Sequence, residues 1–175
     1  MAEPGQGEEM SEEDFAELCD KAYEGETAEV LAAVDQDQRL AIRADGNGST
    51  LLVLACRGLH DNPQLAHGLL ERGANVHARE SDGWGALMCA SYNGYLAVCT
   101  VLLDRGADSD SNNQRFSALS WAARYDRLQV CLLLISRRAN LMLALTGGTA
   151  LAVTESPKRT QNSHPTSSSS VAPSC

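Results

Sequence analysis

The sequence predicts an all-α protein built as a row of stacked helical hairpins, and three observations predict it. The first is repetition. GLLERGAN returns as VLLDRGAD, with Gly73 and Gly106 standing 33 residues apart, and comes back once more in altered form as LLISRRAN, ending at Arg138, Ala139 and Asn140. The second is helical spacing: Phe15, Leu18, Cys19 and Ala22 fall at i, i+3, i+4 and i+7, one apolar face of a helix. The third is composition. Hydrophobic residues make up 43% of the 175-residue chain but aromatics only 5%, so the core must be made of Leu, Ala, Val and Cys, which suits many thin, similar layers.

The elements follow in order. Residues 1–10 have the composition of a disordered acidic leader. Ser11 with Asp14 reads as a helix N-cap, the acid also favouring the positive end of the helix dipole, and Gly25 ends that helix. A weaker helix uses Val30, Leu31 and Val34, completing a first unit over 11–45. The second unit (46–80) reads GSTLLVLACRG, a loop, then PQLAHGLLERGANVHA. The third (81–112) contains GWGALMCASYNGYLAVCTVLLDRGAD, and the fourth (113–145) contains RFSALSWAARYDRLQVCLLLISRRAN. Each is a short apolar helix, a tight turn, a longer apolar helix and a polar turn. Ala55 and Ala90 are 35 residues apart, two more than the glycine spacing, which places an insertion in an exposed loop at Gly58 to Asn62. Arg138 stands where the third unit has Gly106, so the fourth unit ends differently. A partial fifth unit (146–153) starts at Gly147 and fails before Pro157, which cannot continue a helix. Residues 154–175 are a Ser/Pro-rich tail expected to be disordered.

This order of elements, with its period near 33, resembles the ankyrin repeat, a β-turn followed by two antiparallel helices. The resemblance runs over about residues 12–153 and is tightest in the third unit. There Gly83, Leu87, Ala90, Gly94, Leu96, Val98, Leu102, Leu103, Gly106, Ala107 and Asp108 occupy the family's hallmark positions. The family's Thr-Pro at the first-helix start is never complete: Thr50-Leu51, Gly85-Ala86, Ser117-Ala118 and Thr149-Ala150 stand there. The resemblance implies an ankyrin-repeat solenoid whose core forms only by stacking, and a non-catalytic protein-interaction module that binds a partner protein through its concave surface.

Mapping the family's contact positions puts Ser49, Trp84 and Phe116 at turn tips. Arg57, Tyr92 and Arg124 fall on first-helix faces, with Tyr125 beside them. Exposed Trp, Tyr and Arg dominate binding energy in interfaces, so Trp84, Tyr92, Phe116, Arg124 and Tyr125, with Arg57, form the candidate contact set. A competing reading folds Trp84 and Phe116 back on neighbouring turns as stiffeners. Trp121 falls at the position of Leu54 and Cys89, where core packing is expected. The alternative function is a substrate-recruiting or inhibitory regulatory subunit of an enzyme complex.

Other chemistry finds little footing. The net charge is −9, with eight acids and no Lys or Arg in the first twenty residues; without a basic stripe, nucleic acid is not an expected partner. Apolar runs such as Val130 to Ile135 reach six residues, far below the roughly 18 of a membrane span. The acidic start differs from a secretory signal, and the cysteines lie in apolar helical patterns, which points to an intracellular protein of the cytoplasm, the nucleus or both. His60, His67, His77 and His164 lack metal-ligand spacing. The Gly-x-Gly of GNGSTL and GWGAL has no third glycine to make a phosphate cradle. No cofactor, metal or catalytic residue is expected. Ser156, before Pro157, is a candidate phosphorylation site. The apolar second helix of unit four, Leu128 to Ile135, calls for a covering layer, so self-association through an uncapped last repeat is a further expectation.

Overall fold

Three of the four first helices start where a short polar side chain replaces a missing backbone partner; the third unit's starts at Gly85 without one. The Ser11 hydroxyl accepts from the Asp14 amide at 3.1 Å, Thr50 from Val53 at 3.5 Å and Ser117 from Ser120 at 3.2 Å. The computed structural model describes residues 10–109 and 116–137. Among the described residues there are eight α-helices: α1 (Glu12–Glu24), α2 (Thr27–Gln36), α3 (Leu51–Arg57), α4 (Pro63–Glu71), α5 (Ala86–Asn93), α6 (Leu96–Asp104), α7 (Ala118–Arg124) and α8 (Leu128–Ser136). A 3-10 turn at Gln38–Ala41, which the period did not foretell, closes the first unit and buries Leu40 and Ala41.

The helices form two layers. The first helices α1, α3, α5 and α7 pack side by side in sequence, and α2, α4, α6 and α8 do the same behind them. The core runs between the layers: Phe15, Val30, Leu52, Leu65, Met88, Leu102, Leu119 and Leu134 are all buried. The connecting turns are small hairpins, with bridges pairing Ala44 with Thr50 and Arg79 with Gly85. They also join one another, since both the amide and the hydroxyl of Ser81 donate to the Asn47 carbonyl, at 3.0 and 2.8 Å. The all-α stack is the one the repeat pattern foretells.

Along the second layer an arginine closes each unit and bonds backward to the unit before. Arg72 holds Asp35 through two bonds of 2.7 and 2.8 Å, Arg105 lies 2.8 Å from His67 Nε2 and 3.5 Å from Glu71, and Arg137 reaches Asp104 at 2.8 Å.

The insertion after α3 is exposed at Leu59, His60 and Asp61 but not at its root. Gly58 is buried, and a Cβ there would collide with the Tyr23 carbonyl oxygen. The loop also works as a fastener. Asp61 accepts from the Ala97 and Val98 amides at 3.1 and 3.0 Å, capping α6 of the next unit, whose own N-cap Tyr95 supplies no side-chain bond. Asn62 caps α4 through Leu65 at 3.0 Å and donates back to the Gly25 carbonyl at 3.0 Å. Met10, assigned to the leader by composition, is packed against the core, and its carbonyl accepts from Arg43 at 2.8 Å. Residues 1–9 of the leader, Arg138, the partial fifth unit, the tail and Ser156 lie outside the described residues.

Candidate functional site

Five rings from two units meet on the first-helix face. Trp84 ends the hairpin turn, where the Glu80 amide donates to its carbonyl at 2.8 Å and Asp82 accepts from its amide at 3.2 Å. Its ring lies 4.8 Å from Trp121 at 33° and 5.9 Å from Tyr92 at 81°. Tyr92, on the last turn of α5, lies 4.4 Å from Tyr125 at the end of α7, and Phe116 lies 5.0 Å from Trp121. Offset and edge-on arrangements such as these suit the ring quadrupoles. A hydrogen bond with Tyr125 holds the Tyr92 phenol above its ordinary pKa.

The candidate residues Trp84, Tyr92, Phe116 and Tyr125 therefore come together, and Trp84 and Phe116 both pack on the Trp121 ring. Trp121 packs against the core, as its position predicts, and also faces the ring cluster. It is only half-buried, it touches all four other rings, and its indole Nε1 is buried without a hydrogen-bond partner. The i, i+4 spacing of Trp121 and Tyr125 on α7 was the sequence signal for this, because it sets both on one helix face. Arg124 is exposed beside the rings' helix and makes no ion pair among the described residues.

Toward the second unit the face changes character. Ser49, placed at an exposed tip by analogy with Trp84, is only 2% exposed, and its hydroxyl donates to Glu80 Oε1 at 2.6 Å. The other Glu80 oxygen pairs with the Arg57 guanidinium, and the Glu80 side chain is 5% exposed. Arg57 thus holds the buried Glu80 carboxylate while its own side chain remains 40% exposed. Asn93 donates to the carbonyls of Cys56 and Arg57 at 3.3 and 3.1 Å, and the Tyr95 hydroxyl donates to the Gly58 carbonyl at 2.6 Å.

Between these regions lies a groove of about 440 Å³ lined by Tyr23, Arg57, Asp82, Trp84, Cys89, Tyr92 and Asn93. Glu80 and Tyr23 were missed in the sequence. Tyr23 had a signal: it stands two residues before Gly25, as Tyr92 stands before Gly94. Burial pushes the Cys89 and Cys99 thiols up to about 12 and that of Cys19 to about 11, and Cys56 is also raised well above its ordinary value. At neutral pH these remain thiols, poor nucleophiles and poor metal ligands. Among the described residues no group of His, Cys, Asp and Glu is arranged to hold a metal ion, and no helix is long and apolar enough to cross a membrane.

A family model described as ankyrin repeats, in three copies, matches residues 52–144. The chain is 40% identical over 99 residues to the ankyrin repeat and KH domain-containing protein mask of Drosophila melanogaster, a stretch covering 54% of this chain and 2% of that protein. It is 39% identical over 98 residues to the human ankyrin repeat and KH domain-containing protein 1, covering 54% of this chain and 4% of the relative. Over 116 residues it is 31% identical to a transient receptor potential cation channel subfamily A member 1 homolog of Caenorhabditis elegans, covering 66% of this chain and 9% of the channel protein. The chain thus spans less than a tenth of the length of each of these relatives.

Proposed function

Because the chain belongs to the ankyrin-repeat family, whose repeats generally serve as protein-interaction modules, we propose that it binds a partner protein through the first-helix face. Trp84, Tyr92, Phe116, Trp121 and Tyr125 are the centre of contact and Arg124 lies at its edge. One observation carries this reading: a contiguous, partly exposed group of five rings on one face of a helical scaffold. Rigid aromatic side chains give large contact area for little entropy loss, and pre-organised surfaces need little rearrangement on binding. An intracellular setting is supported by the five buried free cysteines of the described residues. The test is affinity capture from cell extract with the full chain and with Trp84→Ala/Phe116→Ala, each checked for native helicity by circular dichroism. The wild type is expected to hold partners that the variant loses. An unchanged set of partners on a folded variant overturns the assignment.

A regulatory subunit would use the same face, and a change in one captured enzyme's rate at equimolar ratio identifies that case. A specific observation favours self-association as well. Leu128, Leu132 and Ile135, at i, i+4 and i+7 of α8, are 49%, 53% and 46% exposed. Leu132 stands where α6 has Thr100 and α4 has His67, so an outward position has become apolar. Sedimentation of wild type against Leu132→Thr reads the result directly: a concentration-dependent dimer lost in the variant supports it, and a monomer at all concentrations removes it.

A further inference from the structure

The groove beside Trp84 carries information about the partner's chemistry, on the reading that the first-helix face is the contact surface. Trp84 and Tyr92 meet at 81°, so their rings form two walls of a right-angled corner, and Tyr23 lines the groove with them. One side of each ring is already engaged by the fourth unit, Trp84 by Trp121 and Tyr92 by Tyr125. The charges of the groove do not cancel. Arg57 is neutralised by buried Glu80, whose carboxylate also accepts the Ser49 hydroxyl. Among the described residues the exposed Asp82 is in no ion pair and bonds the Trp84 backbone amide, while the Arg79 guanidinium donates to the adjacent Gly83 carbonyl. The chain as a whole carries a net charge of −9, so its field attracts cations from a distance.

We propose that this groove receives a basic side chain, Arg or Lys, from an extended segment of the partner protein, with the charged group against the Trp84 and Tyr92 rings and facing the Asp82 carboxylate. Ring faces attract cations, and the attraction grows when the cation is desolvated in a groove. An acidic side chain would meet Asp82 and have to displace Glu80 from Arg57. A neutral apolar side chain would leave Asp82 unanswered and bury it at a cost.

The experiment selects twelve-residue peptides from a random displayed library on the full chain, then measures the affinity of the selected peptides for wild type, Asp82→Asn, Trp84→Phe, Trp84→Ala and Leu132→Thr. The expected result is enrichment of peptides sharing one basic residue. Replacing that residue by citrulline or norleucine weakens binding about tenfold, Asp82→Asn weakens it severalfold with a reduced salt dependence, and Leu132→Thr leaves it unchanged. Trp84→Phe, which preserves packing, keeps part of the affinity and guards against a misfolded Trp84→Ala. Peptides that need Trp84 but carry a shared acidic or apolar residue, indifferent to Asp82→Asn, overturn the basic side chain while leaving the contact face standing. Selected peptides indifferent to both Trp84 variants overturn the face and the groove together.

Discussion

The junction between the second and third units and the junction between the third and fourth are built from different materials. The earlier one is stitched with polar bonds: Ser81 on the Asn47 carbonyl, Asn93 on two carbonyls at the end of α3, Tyr95 on Gly58, and Asp61 on the start of α6, beside Ser49 and Arg57 on Glu80, the last residue of the second unit. The later one, on the same face, is made chiefly of rings, with polar ties that include Arg127 on the Tyr92 carbonyl at 3.2 Å and, in the second layer, Arg137 on Asp104. Hydrogen bonds fix direction and register, while ring contacts tolerate small shifts and keep apolar area available at the surface. Under the proposed function the difference separates two jobs: the second unit holds the geometry and the third and fourth offer the aromatic surface.

The largest effect expected from breaking this division is on stability at the polar junction. Arg57→Ala leaves the Glu80 carboxylate buried without its counter-ion and is expected to cost about 2–4 kcal/mol, read as a lowered urea midpoint. The double variant Arg57→Met/Glu80→Gln should recover much of that loss. Trp84→Ala at the aromatic junction reverses the pattern, costing about 1 kcal/mol in folding and about 2 kcal/mol or more in partner affinity. If Arg57→Ala were benign to folding, the polar stitching would not be what holds the units in register.

A smaller effect tests the insertion. Asp61→Ala removes the cap that α6 receives from its neighbour and is expected to cost about 1 kcal/mol, with faster hydrogen exchange at the Ala97 and Val98 amides. The cysteines sharpen the comparison through pH. Folded-state thiol pKa values of about 12 at Cys89 and Cys99 lie above the ordinary 9.0. The neutral thiol is therefore favoured by folding: stability is whole below pH 9 and declines as the pH rises from there toward 12. Denaturation midpoints measured from pH 7 to 11 should fall above 9, and less steeply in Cys99→Ala. The smallest change is expected to be a gain. Asp126 has φ of 56° where the preceding unit has Gly94 at 85°, so Asp126→Gly should raise stability by about 0.5–1 kcal/mol, seen as a rise in melting temperature.

The helical stack was legible because its signals are local. Ser11, Thr50 and Ser117 cap the very helices that follow them, and the Gly73 to Gly106 spacing sets the period without any knowledge of the fold. The 3-10 turn at Gln38–Ala41 falls outside that period and left no repeated mark. The site was half legible. Trp84, Tyr92, Phe116 and Tyr125 could be found by carrying positions from unit to unit, yet the same operation did not reveal the burial of Ser49, the Arg57 ion pair or the ring contacts of Trp121. Their surroundings are set by residues distant along the chain: Glu80 lies 31 residues from Ser49 and 23 from Arg57. Position within a repeat tells where a side chain starts, and the identity of the neighbour decides whether it is buried, paired or free.

The backward-reaching arginines of the second layer carry a consequence for how such a chain can change length. Arg72, Arg105 and Arg137 each grip the preceding unit in the same phase, so a duplicated or deleted block that preserves the phase brings its own clasp and finds a socket waiting. A cut out of phase would strand a clasp without its socket, and growth by whole modules is the route the architecture leaves open.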